Sequence, residues 1–316
     1  MKSCKVLYFH GIRIDCPRLN SSPARLWPHV KEFEQIIQDI KRRYVLIGIP
    51  ELVEALRKGI TLPSKTLCIT FDDGYKNNLS AVEILSKYKV PVTVFVSTEF
   101  VDGKSIPWFV RVDAYPELMR RPYNLLTDKG HIIIAQNNWR MVRARLKNYL
   151  LGLGSKEMQE CLNKIESHMG ISLESIKENM SEFNYLSWSD LKQMYDNGVT
   201  IGSHCHSHIG VSGLNYEEKN RELVNSRLLL KQNVGVNAGE YLSYPDGRYD
   251  VQYKDIAARN YQAAFGVRTK TRWDDLYALP RYSTSCNPLR EISTRYQLYR
   301  MGVSLIKKCF GIGNNI

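Results

Sequence analysis

Apolar runs without polar alternation recur along the chain, and stretches of helical period lie between them. Lys5–Phe9, Thr66–Phe71 (TLCITF) and Val92–Ser97 (VTVFVS) read as strands, followed by Val199–Ser203, Glu240–Tyr244, Gln262–Val267 and Tyr277–Tyr282. Strands that are apolar throughout suit a sheet covered on both faces, as parallel sheets are. Between the first two, Phe33, Ile36, Ile37 and Ile40 sit at offsets of 3, 4 and 7, an amphipathic stripe, and Leu79, Val82 and Leu85 repeat the pattern. Ser189 to Asn197, with Gly198 after it, reads as a helix with a glycine stop. Alternation of strand and helix predicts βαβ units, hence an α/β barrel or an open doubly wound sheet.

One section breaks the rhythm. From about 102 to 183 strand signals nearly vanish, and helical patterns cover Trp139 to Leu151, Ser155 to Met169 and Leu173 to Met180. This predicts a helical insertion between two strands of a single barrel that spans residues 1–289. In the remaining segment, 290–316, Ile292, Tyr296, Tyr299, Val303, Ile306 and Phe310 follow spacings of 4, 3, 4, 3 and 4. Arg290, Arg295, Arg300, Lys307 and Lys308 surround them, with Glu291 the only acid. A basic amphipathic helix of this kind either packs on the barrel or binds a membrane surface through 290–310.

Composition narrows the classes. The 316 residues are 43% hydrophobic and 24% charged, ordinary for a globular chain. No run approaches the ~20 apolar residues of a membrane span, and the apolar run after Met1 is too short for a signal peptide. The expectation is a cytoplasmic protein, at the inner face of the cytoplasmic membrane if the tail binds lipid. Seven cysteines, scattered and without a Cys-x-x-Cys pair, read as reduced thiols. The net charge of +12 favours anionic partners or a solvated basic surface. No helix-turn-helix, zinc-finger or RNA-recognition signature accompanies it, so no nucleic-acid partner is expected.

Two motifs carry chemistry. Thr70-Phe71-Asp72-Asp73-Gly74 closes a predicted strand, and in a parallel barrel strand C-termini face the active site. Adjacent side chains in a strand point to opposite sides, but a turn at Gly74 brings both carboxylates inward. Ser203-His204-Cys205-His206-Ser207-His208 follows another predicted strand and holds three of the chain's seven histidines. His204 and His208, four apart, share a face on a helical turn and suit one metal ion. Taken singly, an Asp-Asp-Gly turn and a surface histidine patch explain the same residues.

Together, TFDDG followed by a helix and His-x-x-x-His after LSWSDLKQMYDNGVTIGSH resemble the NodB-type polysaccharide deacetylases, carbohydrate esterase family 4. PVTVFVST, SYPDGRYD and ALPRYSTS extend the likeness over most of the chain outside the insertion. The resemblance implies a distorted (β/α) barrel that removes acetyl groups from an N-acetylated sugar or glycan. It implies a divalent metal held by Asp73, His204 and His208, with Asp72 as the general base that activates the attacking water. Zinc is the expected ion, and cobalt, nickel and iron suit the same donors. Tyr244, Pro245 and Asp246 fall in the family's substrate loop, where the Asp246 backbone N–H is the candidate oxyanion donor.

The sequence departs from the family in two places. Most members carry a Leu-x-His element on a late strand for the general acid, and no histidine follows His208 here. Val6-Leu7-Tyr8-Phe9-His10 has the same form at the other end of the chain, as in the circularly permuted branch that includes poly-N-acetylglucosamine deacetylases. His10 is therefore the candidate acid. Ser243 and Asp246 stand where most members have an Arg and a Tyr, and Arg281 is the candidate replacement that orients Asp72. The expected role is in surface polysaccharide or glycolipid biosynthesis, on a substrate that is lipid-linked if the tail binds membrane. The alternative is a non-catalytic carbohydrate-binding protein on a degenerate barrel.

Overall fold

A computed structural model describes residues 4–128, 130–137, 139–267 and 273–283. The basic tail at 290–316 lies outside them. The elements in chain order are β1 (Lys5–Phe9), α1 (Val30–Arg43), β2 (Val45–Leu46), α2 (Ile49–Lys58), β3 (Thr66–Phe71), α3 (Asn78–Lys87) and β4 (Val92–Val96). Next come α4 (Trp108–Leu118), β5 (Tyr123–Thr127), β6 (Gly130–Ile134), α5 (Trp139–Leu150), α6 (Ser155–Met169) and α7 (Leu173–Asn179). The chain then returns through α8 (Trp188–Asp196), β7 (Thr200–Ser203), α9 (Tyr216–Asn233), β8 (Tyr241–Ser243), α10 (Val251–Asn260), β9 (Ala263–Val267) and β10 (Leu279–Ser283).

Seven parallel strands close into a barrel in the order β1-β10-β9-β8-β7-β4-β3, and β3 pairs back to β1. The first strand in the sequence thus sits between the last one and β3, with Leu7 opposite both Tyr282 and Ile69. The two-residue β2 pairs only with the start of β3. The seven strands expected from continuous apolar runs are the seven of the barrel. Their side chains alternate between lumen and helix layer, and both sides are buried, which is why no polar alternation marks them.

The lumen is layered. Val6, Cys68, Phe95, Phe265 and Leu279 form an apolar floor, and Ile49, Leu52 and Val53 of α2 belong to the same cluster. Gly202 is required there: a Cβ would lie 2.5 Å from the Phe95 ring. Above the floor the inward positions turn polar, with Thr70, Asp72, His204, Ser243 and Arg281 all buried. The outward-facing Leu7, Phe9, Ile69, Phe71, Val94 and Ile201 pack against α1, α3 and α8.

The segment read as a helical insertion holds α4 to α7, but also a β-hairpin that sequence reading missed. β5 and β6 are antiparallel, with Leu125 opposite Ile132. Leu125, Ile132 and Ile134 pack inward while Leu126 and Ile133 are exposed. Because both faces carry apolar residues, the period-two signal vanishes. The insertion has a core of its own that continues into the barrel loops through Leu19, Ala24, Tyr75, Tyr185 and Ile209.

Within that core Arg111 of α4 grips Glu166 of α6 through two bonds of 2.7 Å each. Tyr115 Oη donates to the same carboxylate at 2.8 Å, and Arg111 also donates to Asn163 Oδ1 at 2.8 Å. Removing one partner of a buried pair strands the other charge, whereas removing both does not. Arg111→Met is expected to destabilise the protein by about 3–5 kcal/mol, and Arg111→Met/Glu166→Leu to recover most of that. Urea unfolding of the two variants checks this; equal losses in both would show that the pair contributes packing and not charge.

Candidate active site

The site begins where β3 ends. Asp72 continues the strand, its N–H donating to Phe9 O at 2.9 Å. Asp73 then takes a left-handed φ of 72°, and Gly74 follows at 82°. The reversal expected at Gly74 alone starts one residue earlier, and it swings the second carboxylate back over the mouth. At Gly74 a Cβ would meet Val96 Cγ1 at 3.1 Å, on a backbone conformation that disfavours any side chain. Cys205, His208 and Asp246 are also left-handed, at 63°, 54° and 54°. Such conformations cost roughly 1–2 kcal/mol per residue and cluster at functional sites.

His204 extends β7, its N–H donating to Val96 O at 2.8 Å. Its Nδ1 lies 2.7 Å from Ser243 O, so Nδ1 carries the proton and donates. Nε2 therefore presents its lone pair to Asp73 Oδ1 at 3.5 Å, with Asp72 Oδ2 at 4.0 Å. Burial pushes the His204 imidazole below its ordinary pKa, which favours the neutral form a ligand needs. The two histidines do not converge on a helical turn as their spacing suggested. Residues 204–210 form no helix, and the left-handed Cys205 and His208 redirect the chain instead. Glu222 of α9 holds this loop, accepting from His206 N–H at 3.0 Å and Ser207 N–H at 2.8 Å. Trp108 Nε1 of α4 donates to His208 O at 3.0 Å, and the Phe109 ring packs 4.7 Å from the His208 ring.

His208 Nε2 comes within 3.4 Å of Asp73 Oδ1. The ligand atoms of Asp73, His204 and His208 lie within 4.8 Å of one another, and all three residues are buried. Among the described residues Asp73 Oδ1 and His208 Nδ1 have no hydrogen-bond partner, although both are sealed from solvent. An unpaired buried carboxylate oxygen facing two imidazoles is costly unless a cation completes it. Two imidazoles and a carboxylate are the donor set of open catalytic zinc-type sites, so these residues fit a divalent metal.

Asp72 has a different environment. Arg281 of β10 clamps both its oxygens, Nη1 to Oδ1 at 2.7 Å and Nη2 to Oδ2 at 2.8 Å. Burial alone would raise the carboxyl pKa, but the Arg281 charge and hydrogen bonds, with help from His204 and His10, hold it at about 2. Arg281 Nη2 also donates to Ser243 Oγ at 2.5 Å, and its guanidinium lies over the rings of Tyr8 and Phe95, 4.8 and 5.4 Å from their centroids. Ser243 was noted in the sequence only for lacking the family's arginine. Its small side chain admits the arginine of β10, and its carbonyl orients His204.

The remaining residues divide. His10 follows β1 at the same mouth, exposed, its ring edge-on to Tyr8 at 5.6 Å and its charge felt by Asp72. Asp246 is exposed at the rim in the turn after β8, and Pro245 is buried at the start of that turn. The substrate role read for Tyr244 needs correction. Its side chain points outward, fully buried among Leu242, Tyr253 and Ile256, with Oη donating to Tyr277 O at 3.1 Å. Burial pushes the Cys205 thiol well up, with Glu222 adding to it, and outweighs the hydrogen bond from Tyr253 Oη, so the residue is no nucleophile. Trp108 is buried and holds the His208 loop, so it is no sugar-stacking platform.

A closed parallel barrel with paired aspartates after one strand and two histidines after another defines a class. A family model described as polysaccharide deacetylase matches residues 59–140 and 154–264, more than half of the chain, and the chain belongs to that family. A Bacillus subtilis (strain 168) relative described as a polysaccharide deacetylase, YxkH, is 29% identical over 115 residues, 35% of this chain and 40% of that protein. The match thus spans well under half of that relative's length. The deacetylase PplD of Streptococcus pyogenes, solved in complex with acetate, shares the fold at TM-score 0.56 and 19% identity, covering 89% of this chain and 91% of that one. IcaB from Ammonifex degensii shares it at TM-score 0.57 and 17% identity, covering 94% and 97%.

The clamp carries a stability consequence with a defined sign. An Asp held at about 2 stabilises the fold above its ordinary pKa of about 3.9, and that stabilisation is lost as pH falls through 2. Arg281→Met is expected to cost about 3–5 kcal/mol at pH 7, since it strands a buried carboxylate. The difference from wild type should shrink as pH falls through the raised pKa of the unclamped, buried carboxylate and on towards 2. Urea midpoints of metal-free protein at several pH values measure it; a difference independent of pH would mean that Asp72 is not the group responsible.

Proposed function

We propose that this protein is a divalent-metal-dependent N-deacetylase of sugars, releasing acetate from an N-acetylated sugar or glycan. The observation that carries the reading is the split between two adjacent carboxylates: Asp73 faces two imidazoles with an unpaired oxygen, while Asp72 is ionised and fixed by Arg281. Family membership supports the substrate class. So does the acetate recorded with PplD, since acetate is the product this reaction would release.

Asp73, His204 and His208 would hold the metal. The bound ion would polarise the acetyl carbonyl and lower the pKa of the attacking water from about 15.7 towards 7. Asp72 takes the water's proton, and Arg281 fixes the carboxylate's position at the expense of its basicity. Water adds to the amide carbon, the C–N bond breaks, and the departing sugar amine gains a proton from His10. The Asp246 backbone N–H is the rim donor for the oxyanion. The products are acetate and a free amino sugar.

Zinc is the proposed ion, with cobalt, nickel or iron as working substitutes. The finer setting is surface polysaccharide or glycolipid synthesis at the cytoplasmic face of a membrane, on a lipid-linked substrate. It is supported only by the basic amphipathic sequence of 290–310. Among the described residues no helix is long and apolar enough to cross a membrane. A sugar-binding barrel without catalysis is disfavoured by the same split, because binding alone has no use for a buried, arginine-clamped carboxylate beside a metal-ready set.

The test is acetate release from a panel of N-acetylhexosamine monomers and oligomers, with metal stripped and restored. Release is expected to vanish on chelation and to return with zinc. Asp72→Asn should keep stoichiometric metal by elemental analysis yet lose about 10²–10⁴-fold in kcat. Asp73→Ala and His204→Ala should lose the metal itself. No release from any substrate, from protein that retains no metal, would favour the inert binder.

His10 gets its own measurement. His10→Asn is expected to lower kcat by about 10²-fold or more with KM little changed, and to be less damaging with an N-acetylated substrate whose amine is a better leaving group. An unchanged kcat would place the acid elsewhere.

A further inference from the structure

We propose that the outer face of the β5–β6 hairpin, with the exposed flank of α5, is a docking surface for an anionic lipid bilayer. The hairpin's inner face is already spent on the insertion core, through Leu125, Ile132 and Ile134. Its outer face still carries Leu126 and Ile133, exposed at 69% and 61%, and Met141 on the first turn of α5 is exposed at 60%. Leu126 stands opposite His131, and Ile133 is two residues further along the same strand face. That makes the two apolar side chains diagonal neighbours. Folding does not require them: the strands pair only with each other among the described residues, and their buried contacts are on the other side. Large apolar side chains kept together in water mark an interaction surface.

The charge around this face selects the partner. From 119 to 147 the sequence holds seven Lys and Arg against one acid, Asp128. Two of the seven, Arg143 and Lys147, turn inward to the buried Asp113 and are not presented. Arg120, Arg121, Arg140 and Arg145 are exposed, Arg121 with its Nε donating to His168 O, and Lys129 falls between Thr127 and Gly130 in the sequence. Arg145 donates to His131 O at 3.0 Å, which ties α5 to the backbone of β6. Apolar side chains within a ring of cations match a surface of anionic headgroups over acyl chains. A second copy of the chain would set the same cations against each other.

The placement also relates the surface to the mouth. α5 meets the hairpin through Arg145, and on the same helix Lys147 lies within 5.9 Å of the Phe109 ring that packs on His208. A helix of 12 residues is roughly 18 Å long, so bilayer and mouth would be about one such helix apart.

Vesicle co-sedimentation of the full chain tests this, with phosphatidylcholine alone and with 30% phosphatidylglycerol. Wild type is expected to sediment with the anionic vesicles and not the neutral ones, and to be released by high salt. Leu126→Glu/Ile133→Glu should reduce the bound fraction at least tenfold while keeping the wild-type circular dichroism and Tm. As a second readout, Ile133→Trp should show blue-shifted emission, quenched by brominated lipid, only with anionic vesicles. Binding unaffected by the double substitution would assign any membrane contact to another part of the chain and overturn the proposal. Equal binding to neutral vesicles, or none to either, would overturn it too, as would vesicle-independent dimerisation lost in the double variant.

Discussion

The Arg281–Asp72 pair is the interaction on which the rest of the mouth depends. A guanidinium cannot be buried in a barrel lumen without a counter-charge, and the lumen supplies one carboxylate with both oxygens in place. The aromatic faces of Tyr8 and Phe95 flank the cation, and Ser243 and Thr70 take further hydrogen bonds. Arg281 and Asp72 cancel in charge. Burial favours the neutral form of His204, and the clamp leaves Asp73 without a guanidinium of its own, facing two imidazoles, an arrangement that suits a divalent cation. One clamp thereby assigns different work to two residues adjacent in sequence. Without it both carboxylates would share one cavity, and ionising both would be opposed.

Positioning of these groups needs four left-handed residues other than glycine around the mouth: Asp73, Cys205, His208 and Asp246. At roughly 1–2 kcal/mol each they persist only because the loops are tied down from outside. Glu222 holds the amides after His204, Ser97 Oγ donates to His204 O at 3.0 Å, and Trp108 holds the His208 carbonyl. The last of these comes from the insertion. The insertion is therefore part of the support of the loop that carries His208 as well as an added structure, and its core runs continuously into the loops of the mouth.

Much of this was legible because strand ends carry the chemistry. Apolar runs located the seven barrel strands, and the motifs at 72–73 and 204–208 sit at the C-terminal ends of two of them. His10 and Arg281 were legible as a histidine and an arginine near the ends of buried strands, and an arginine there demands a carboxylate partner. The rest was hidden for physical reasons. When both faces of a strand are buried, the period-two pattern has no readable phase, so Tyr244 passed for a mouth residue although Leu242 and Tyr244 share the outward face. The convergence of His204 and His208 came from backbone signs that no residue type announces, since Cys and His rarely adopt positive φ. The β5–β6 hairpin was masked by its own exposed Leu126 and Ile133, which turned an alternating pattern into an apolar run.

Clamping Asp72 has a chemical consequence for the proposed reaction. A carboxylate held at about 2 is ionised at neutral pH, yet it is a weaker base than a free one. Such a group accepts a proton efficiently only from a water that is itself unusually acidic, so its design presumes the neighbouring cation. In the proposed reaction the two halves of the site would be incomplete apart: Asp73, His204 and His208 without Asp72 would leave nowhere for the proton, and Asp72 without them would face a water too weakly acidic to yield one. In that reaction the departing amine is protonated by a separate group, because Arg281 occupies the inner side of Asp72. His10, exposed just after the strand that lies between those of Arg281 and Asp72, is the group proposed for that step.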